Sequence, residues 1–166
     1  AVPGGGAEGD PTEVALLEAA AAQGMEKPAL AELFPLLARL PFSAERGMMT
    51  TLHREGEGVI AFVKGAPERV LARCVRALDG EAIVPVDSAT VLAQVEGLAA
   101  EGLRVLAFGV RRFPSVPDPL TPEDVERDLT FVGLAGLHDP ARPEARAAIE
   151  DDGRVFVVTR WLAGSP

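Results

Sequence analysis

The segment FVKGAPE, residues 62–68, places a lysine where a predicted strand gives way to a predicted helix. The apolar run Val59–Lys64 predicts a strand, Gly65 ends it, and Pro67 suits the first turn of the helix that follows. A glycine at such a junction lets a ligand come close to the backbone. Lys64 is therefore a candidate binding residue.

Lysine is rare in this chain, which makes its position informative. Only Lys27 and Lys64 are lysines among the 16 basic residues. The formal net charge of −9 argues against binding to DNA or RNA, which draws on clustered cations to neutralise phosphates. A small phosphate-bearing ligand is compatible with this charge, because a few cations and backbone N–H groups in one pocket can hold it.

Several other classes of protein are excluded by the sequence. The single cysteine, Cys74, rules out an internal disulfide and a multi-cysteine zinc site. The longest uncharged apolar run, Leu129–Leu137, has nine residues, whereas a membrane helix needs about 20. The motifs of serine hydrolases, Walker-type NTPases and zinc proteases do not occur. The glycine pattern at residues 4–9 lacks the preceding strand that a dinucleotide site requires.

No metal site is predicted. His53 and His138 are far apart and have no ligand-like neighbours, and the acidic residues 150–152 are typical of a solvated helix end.

The segments before FVKGAPE predict helices followed by a hairpin. They are a helix that is capped by Asp10, starts at Pro11, runs to about Gln23 and stops at Gly24, a short helix over Leu30–Leu40 interrupted at Pro35, a strand over Met48–Arg54, and a turn over Glu55–Gly58.

The segments after FVKGAPE predict further helices and strands. They are a helix with Val70, Leu71 and Cys74 on neighbouring faces, a helix capped by Asp87 or Ser88 and ending at Gly102, a strand over Leu103–Val110, a loop over Pro114–Pro122, a short acidic helical turn, and a strand over Leu129–Leu137.

This order predicts an α+β domain with an antiparallel sheet flanked by helices. We expect a flexible leader at residues 1–9, the domain itself at 10–138, and a hinge with the incomplete start of an α/β domain at 139–166. The stiff connector that begins at Asp139 marks the boundary.

Four blocks occur in a fixed order along the chain: GDPTE at 9–13, PFSAER at 41–46, FVKGAPE at 62–68 and GLRVL at 102–106. Together they resemble the nucleotide-binding domain of P-type ATPases, and the calcium and related cation pumps most closely. The resemblance extends to about residue 159. The third block is highly specific to the family, the first two are moderately specific, and the fourth carries little weight alone.

The resemblance implies an ATP site made from distant stretches of chain. Adenine needs an aromatic face, its amino group needs an acceptor, and the phosphates need cations. The residues implied are Phe42 for stacking, Glu13 near the adenine amino group, Lys64 deep in the pocket with Gly65 behind it, Arg104 on the phosphates, and Arg46 as a further nucleotide-binding residue.

Each of these residues also has a purely structural interpretation. Phe42 could be a core residue, and Glu13, three residues after the N-cap, could cap its helix. Lys64 could be a solvated lysine, and Arg104 a cation at a strand edge. The whole FVKGAPE string favours binding for Lys64.

The chain departs from the family pattern at several positions. Gly47 stands where the family usually has Lys or Arg, which predicts weaker phosphate binding. Asp139 and Arg142 resemble the hinge to the phosphorylation domain, with Ala141 in place of a proline. The Asp-Lys-Thr-Gly-Thr motif of the phosphorylated aspartate and the downstream aspartate motif for Mg²⁺ do not occur, and residues 151–166 fit the family poorly.

The resemblance therefore implies the ATP-binding domain of a P-type cation-transporting ATPase. It would present ATP, with Mg²⁺ in the intact pump, to an aspartate that is not in this chain. Its partners would be the phosphorylation, actuator and transmembrane domains, at the cytoplasmic face of a membrane, and the fragment alone would be soluble and would lack turnover. The alternatives are a non-catalytic nucleotide-sensing or protein-interaction module derived from such a pump and, more weakly, a damaged gene without function.

Overall fold

The computed structural model describes residues 11–138 of the chain. This part contains five helices and seven strands. They are α1 (Pro11–Ala22), α2 (Lys27–Leu33), β1 (Leu36–Ser43), β2 (Met48–Glu55), β3 (Gly58–Gly65), α3 (Pro67–Leu71), β4 (Cys74–Asp79), β5 (Ala82–Pro85), α4 (Ser88–Ala100), β6 (Leu103–Phe113), α5 (Pro122–Val125) and β7 (Leu129–His138).

The strands form one seven-stranded sheet in the order β1-β2-β3-β6-β7-β4-β5. Neighbouring strands are antiparallel except β4 and β7, which are parallel. The predicted α+β class is therefore correct, but the sheet is mixed and mostly antiparallel. The predicted leader, the hinge residues Asp139 and Arg142, the N-cap Asp10 and the start of a second domain lie outside the described residues.

One face of the sheet is buried beneath helices. Met48, Leu52 and Val63 on this face are at most 1% exposed. Val91 of α4 packs into the cluster around Met48, and Val125 of α5 packs into a second cluster around Leu52. Burial of one such aliphatic side chain contributes about 1.5–3 kcal/mol, so these contacts dominate the stability of the domain.

The opposite face is more open, because the helices near it bury little. No residue of α2 is buried, and the side chains of α1 from Thr12 onward are all at least partly exposed. Phe62, which points to this face from β3, remains 39% exposed. Among residues 11–138, no helix is long and apolar enough to cross a membrane.

Helix α4 begins as the sequence predicts, with Asp87 rather than Ser88 as its N-cap. The Asp87 carboxylate accepts hydrogen bonds from Thr90 N at 3.1 Å and from Thr90 Oγ1 at 2.7 Å. The hydroxyl and backbone bonds from Thr90 lower the pKa of Asp87 below its ordinary value. These bonds satisfy an otherwise unpaired N–H in the first turn of the helix.

The helix predicted over Leu30–Leu40 is wrong in its second half. The residues from Leu36 onward form β1, whose backbone pairs with β2 through Leu36 and His53 and through Ala38 and Leu52. Pro35 disfavours helical backbone at the residue before it, and α2 accordingly ends at Leu33. Pairing with β2 then decides the conformation of the five residues that follow the proline.

The prediction that Cys74 belongs to the helix after Pro67 is also wrong. Cys74 is the first residue of β4 and pairs with Leu129 of β7. Its buried Sγ donates to the carbonyl of Val70 at 3.2 Å, and burial raises the pKa of the thiol to about 12. Cys74 therefore remains protonated at neutral pH and packs as a small apolar residue.

Candidate functional site

Lys64 lies near the end of β3 on the open face of the sheet. It is in register with Met49 of β2 and with Phe108 of β6. Its side chain is 25% exposed, so the ammonium group is sheltered but accessible. The strand, the glycine and the short helix α3 follow one another as the sequence predicts.

Glu13 of α1 contacts Lys64 although the two residues are 51 positions apart in the sequence. Lys64 Nζ donates to Glu13 Oε1 at 3.0 Å, and the Glu13 side chain is 50% exposed. The structure therefore brings together two of the residues that the sequence assigns to nucleotide binding. In this structure the two side chains form an ion pair with each other.

Gly65 permits a close approach of two strands. A Cβ at this position would lie 2.3 Å from the Gly47 carbonyl oxygen and 2.6 Å from the Met48 Cβ. The space that a side chain at Gly65 would need is thus occupied by Gly47, at the end of the turn, and by Met48, the first residue of β2. The approach of a ligand to Gly65 stays a prediction.

Phe42 lies on β1, the edge strand of the sheet, at an irregularity in strand pairing. Leu40 pairs with Thr50 and Ser43 pairs with Met48, so Pro41 and Phe42 together stand opposite Met49. Two residues facing one define a β-bulge, which redirects side chains locally. Phe42 is 64% exposed, and Met49 connects it across β2 to Lys64 in one row on the open face.

Arg46, in the turn between β1 and β2, makes contacts within the protein. Its Nη1 donates to Glu126 Oε1, and its Nη2 donates to the Pro41 carbonyl. Thr50 Oγ1 also donates to Glu126 Oε1, at 2.7 Å. Nucleotide binding by Arg46 stays a prediction. The structural role of Arg46 is clear, because its side chain joins the turn to Glu126 at the end of α5.

Arg104 lies on β6 and is exposed, on the same face as Phe108 and Lys64. It is four positions from Phe108, a distance of about 13 Å at about 3.3 Å per residue. Arg104 therefore shares the open face with Lys64 but not its immediate surroundings. The arrangement as a whole offers an aromatic ring, an ion pair and a more distant cation along one surface.

Sequence reasoning missed Glu126, which the fold places at the end of α5. The residue is fully buried and contacts both Arg46 and Thr50. The run VERDL at 125–129 gives no sign of this, because an acidic residue followed directly by the charged residues Arg127 and Asp128 usually predicts solvent exposure. Within residues 11–138, no group of three His, Cys, Asp or Glu side chains is placed to hold a metal ion.

The fold and the site define an α+β domain with a buried sheet face beneath helices and a polar, partly aromatic open face. Residues 4–144 match the family described as P-type ATPase, cytoplasmic domain N. The chain therefore belongs to this family, and its predicted membership of the P-type ATPases is confirmed.

Relatives with known names support the same family. The chain is 41% identical over 157 residues to the probable cation-transporting ATPase F of Mycobacterium tuberculosis, a match that covers 94% of this chain and 17% of the relative. It is 42% identical over 158 residues to the cation-transporting ATPase pma1 of Synechocystis, with 94% and 17% covered. It is 32% identical over 159 residues to calcium-transporting ATPase 1 of Bacillus cereus, with 94% and 18% covered. The chain thus spans less than a fifth of the length of these relatives.

Proposed function

We propose that this chain is the ATP-binding domain of a P-type cation-transporting ATPase. The observation that carries the proposal is the contact between Lys64 and Glu13 at 3.0 Å, in one row with the exposed ring of Phe42. A ring, an acceptor and a cation then share a face that the helices leave open, with Met49 between the ring and the lysine. These are the groups that an adenine nucleotide requires.

The ion pair between Glu13 and Lys64 is weak enough for a nucleotide to displace. Both side chains are partly exposed, at 50% and 25%, and pairs of this kind contribute about 0.2–1 kcal/mol. Stacking of a base on an aromatic side chain contributes about 1–3 kcal/mol. Stacking on Phe42 therefore outweighs the loss of the pair, and each partner becomes available to the ligand.

Arg104 would meet the phosphate end of the bound nucleotide. Its distance of about 13 Å along β6 from Phe108 suits an elongated ligand that begins near Phe42 and Lys64. The guanidinium carries a fixed charge and a fork of donors for phosphate oxygens. Nucleotide binding by Arg46 and a ligand contact at Gly65 belong to the same proposal.

In the intact protein, the domain would deliver ATP by closing about the predicted hinge at Asp139 and Arg142. The receiving group would be an aspartate elsewhere in the parent pump, and Mg²⁺ would accompany the phosphates. The contribution of this domain to phosphoryl transfer would be to position the nucleotide and to neutralise its charge. The parent would transport a cation, with calcium favoured by the resemblance, and its phosphorylation, actuator and transmembrane domains would place this domain at the cytoplasmic face of a membrane.

The two lysines of the chain provide a matched test. ATP is titrated into the 166-residue chain, with and without Mg²⁺, while backbone amide signals are followed by NMR. We expect shifts around Phe42, Lys64 and Arg104, and a weaker affinity in Lys64→Ala. Lys27→Ala is the control, because Lys27 is exposed on α2. An absence of shifts around these three residues, or equal effects of both alanine variants, contradicts the proposal.

A second candidate function is a non-catalytic nucleotide-sensing or protein-interaction module. Gly47 favours it, because the family usually has a cation there and this residue has a φ of 68°, a backbone conformation that suits glycine. The flanking reading frame separates the two candidates. An upstream Asp-Lys-Thr-Gly-Thr motif together with apolar segments of about 20 residues supports the pump, and their absence supports the module.

A further inference from the structure

The backbone that carries Phe42 receives little support from the sheet. Phe42 belongs to the β-bulge opposite Met49, on a strand that, within residues 11–138, pairs with a neighbour on one side only. Pro41 has no N–H to donate, and a bulge interrupts the regular hydrogen bonds of the strand pair. Another contact is needed to hold the Phe42 ring in one orientation.

Arg46 provides that contact through its planar guanidinium group. One nitrogen donates to the Pro41 carbonyl, which belongs to the peptide unit that leads directly into Phe42, and the other donates to Glu126. Because the guanidinium is rigid, fixing its Glu126 end also fixes the donor that faces Pro41. The orientation of the peptide before Phe42 therefore depends on the position of Glu126.

Glu126 is itself held from several sides. Its side chain is fully buried, and Thr50 Oγ1, on the buried face of β2, donates to the same carboxylate oxygen as Arg46 does. Its backbone carbonyl accepts from Arg73 Nη1 at 3.2 Å. Glu126 is thus a fixed point between α5, β2 and the segment after α3.

Stability alone gives a poor account of this buried pair. The second carboxylate oxygen, Oε2, is buried without a hydrogen-bond partner among the described residues. Buried ion pairs with incomplete hydrogen bonding add little to stability compared with apolar side chains of similar size. What the pair does provide is a defined geometry at the bulge.

We propose that Arg46 and Glu126 are positioning residues for nucleotide binding, which hold the Pro41–Phe42 peptide so that the Phe42 ring faces adenine. This inference rests on the proposed function, because Phe42 has to bind the base for its orientation to matter. Arg46 then acts through Phe42, and this role replaces the direct nucleotide contact of Arg46 that is proposed above, because both of its terminal nitrogens already donate within the protein.

Arg46→Lys separates positioning from charge. A lysine keeps the positive charge beside Glu126, but its single ammonium group lacks the planar fork that reaches Glu126 and Pro41 together. Arg112→Lys is the matched control, because Arg112 forms an exposed pair with Glu55 on a different part of the sheet. Glu126→Gln, which keeps the acceptor oxygen, is a second variant in case Arg46→Lys does not fold.

The experiment is a double-mutant cycle on ATP affinity, measured by calorimetry on the full chain. Phe42→Ala is expected to weaken binding by about 5- to 150-fold, the equivalent of about 1–3 kcal/mol of stacking. Arg46→Lys is expected to weaken it about fivefold in the wild-type background. In the Phe42→Ala background the same change should leave affinity within about twofold, the usual limit of additivity for independent sites. Arg112→Lys should have no effect in either background.

The outcomes distinguish this inference from the proposed function. If the wild type does not bind ATP, or Phe42→Ala binds as well as the wild type, both are overturned. If Phe42→Ala weakens binding but Arg46→Lys does not, the positioning role alone is wrong. If Arg46→Lys weakens binding equally in both backgrounds, Arg46 acts independently of Phe42, and the positioning role is again overturned.

Discussion

Gly65 lies where the start of β2 comes closest to the end of β3. A Cβ there would meet the Gly47 carbonyl oxygen at 2.3 Å and Met48 at 2.6–2.7 Å, and backbone atoms cannot move aside as a flexible side chain can. We expect Gly65→Ala to lower the free energy of unfolding by about 2 kcal/mol or more, because the two strands must separate. Urea denaturation followed by circular dichroism measures the change.

Gly97 provides the control for Gly65→Ala. It lies within α4, and a Cβ at this position would meet no atom within 4 Å. Gly97→Ala should therefore stabilise the chain by about 0.5–1 kcal/mol, since alanine loses less backbone entropy in a helix. If Gly65→Ala also raised the free energy of unfolding slightly, as Gly97→Ala is expected to do, the contact at Gly65 would not be tight.

Single residues also show which parts of the candidate site can be proposed from the sequence and which cannot. Lys64 could be singled out because an unusual residue type occurs in a specific string at a strand end. The approach of Glu13 to Lys64 was implied only through the resemblance, since no local pattern relates residues 51 positions apart. Glu126 gave no signal, because its burial depends on how α5 packs against β2.

At the scale of elements, periodicity predicted the central strands and α4 but failed at both edges of the sheet. β1 is an edge strand that follows Pro35, and its sequence is as compatible with a helix as with a strand. Its conformation is therefore decided by pairing with β2. At the other edge, β4 and β5 form a hairpin that was not predicted, and its two turn residues are Gly80 and Glu81. A glycine at the first position of a two-residue turn between short apolar runs is a hairpin signal, so this hairpin was predictable.

The β2–β3 hairpin is joined to β6 by an ion pair that should respond to pH. Arg112 Nε donates to Glu55 Oε2 at 2.6 Å, and this hydrogen bond is the main cause of a Glu55 pKa below its ordinary value of 4.5. A lowered pKa in the folded state gives stability that is present above pH 4.5 and is lost as the pH falls through the folded value. Because the Arg112 side chain is 65% exposed, we expect the ion pair to contribute only about 0.5 kcal/mol to the free energy of unfolding.

Glu55→Gln tests this contribution. Unfolding free energies of the wild type and the variant, measured by urea denaturation from pH 3 to pH 7, should differ by about 0.5 kcal/mol at neutral pH and converge in acid. The difference should also shrink in high salt, as expected for an exposed pair. A difference that stays constant across the whole range would mean that the carboxylate charge of Glu55 contributes nothing.

For the whole molecule, the class could be predicted more securely than the topology. The predicted helices and strands and the four blocks indicated the α+β class and the family. The pairing registers then place Phe42, Lys64 and Arg104 on one face. The parallel pairing of β4 with β7 depends on contacts between distant segments, which periodicity does not encode. The sequence therefore proposes the residues of a site, and only the fold supplies their arrangement.

At this scale, the chain is expected to bind ATP without hydrolysing it. Phosphoryl transfer in the proposed parent requires an aspartate in line with the γ-phosphate, and the Asp-Lys-Thr-Gly-Thr motif that would supply it does not occur in these residues. Phosphate release from Mg²⁺–ATP should therefore equal that of buffer at protein concentrations that saturate binding, in the wild type and in Lys64→Ala alike. Release above background that Lys64→Ala abolishes would instead mean that the chain contains its own catalytic group, and the assignment as a delivery domain would have to be replaced.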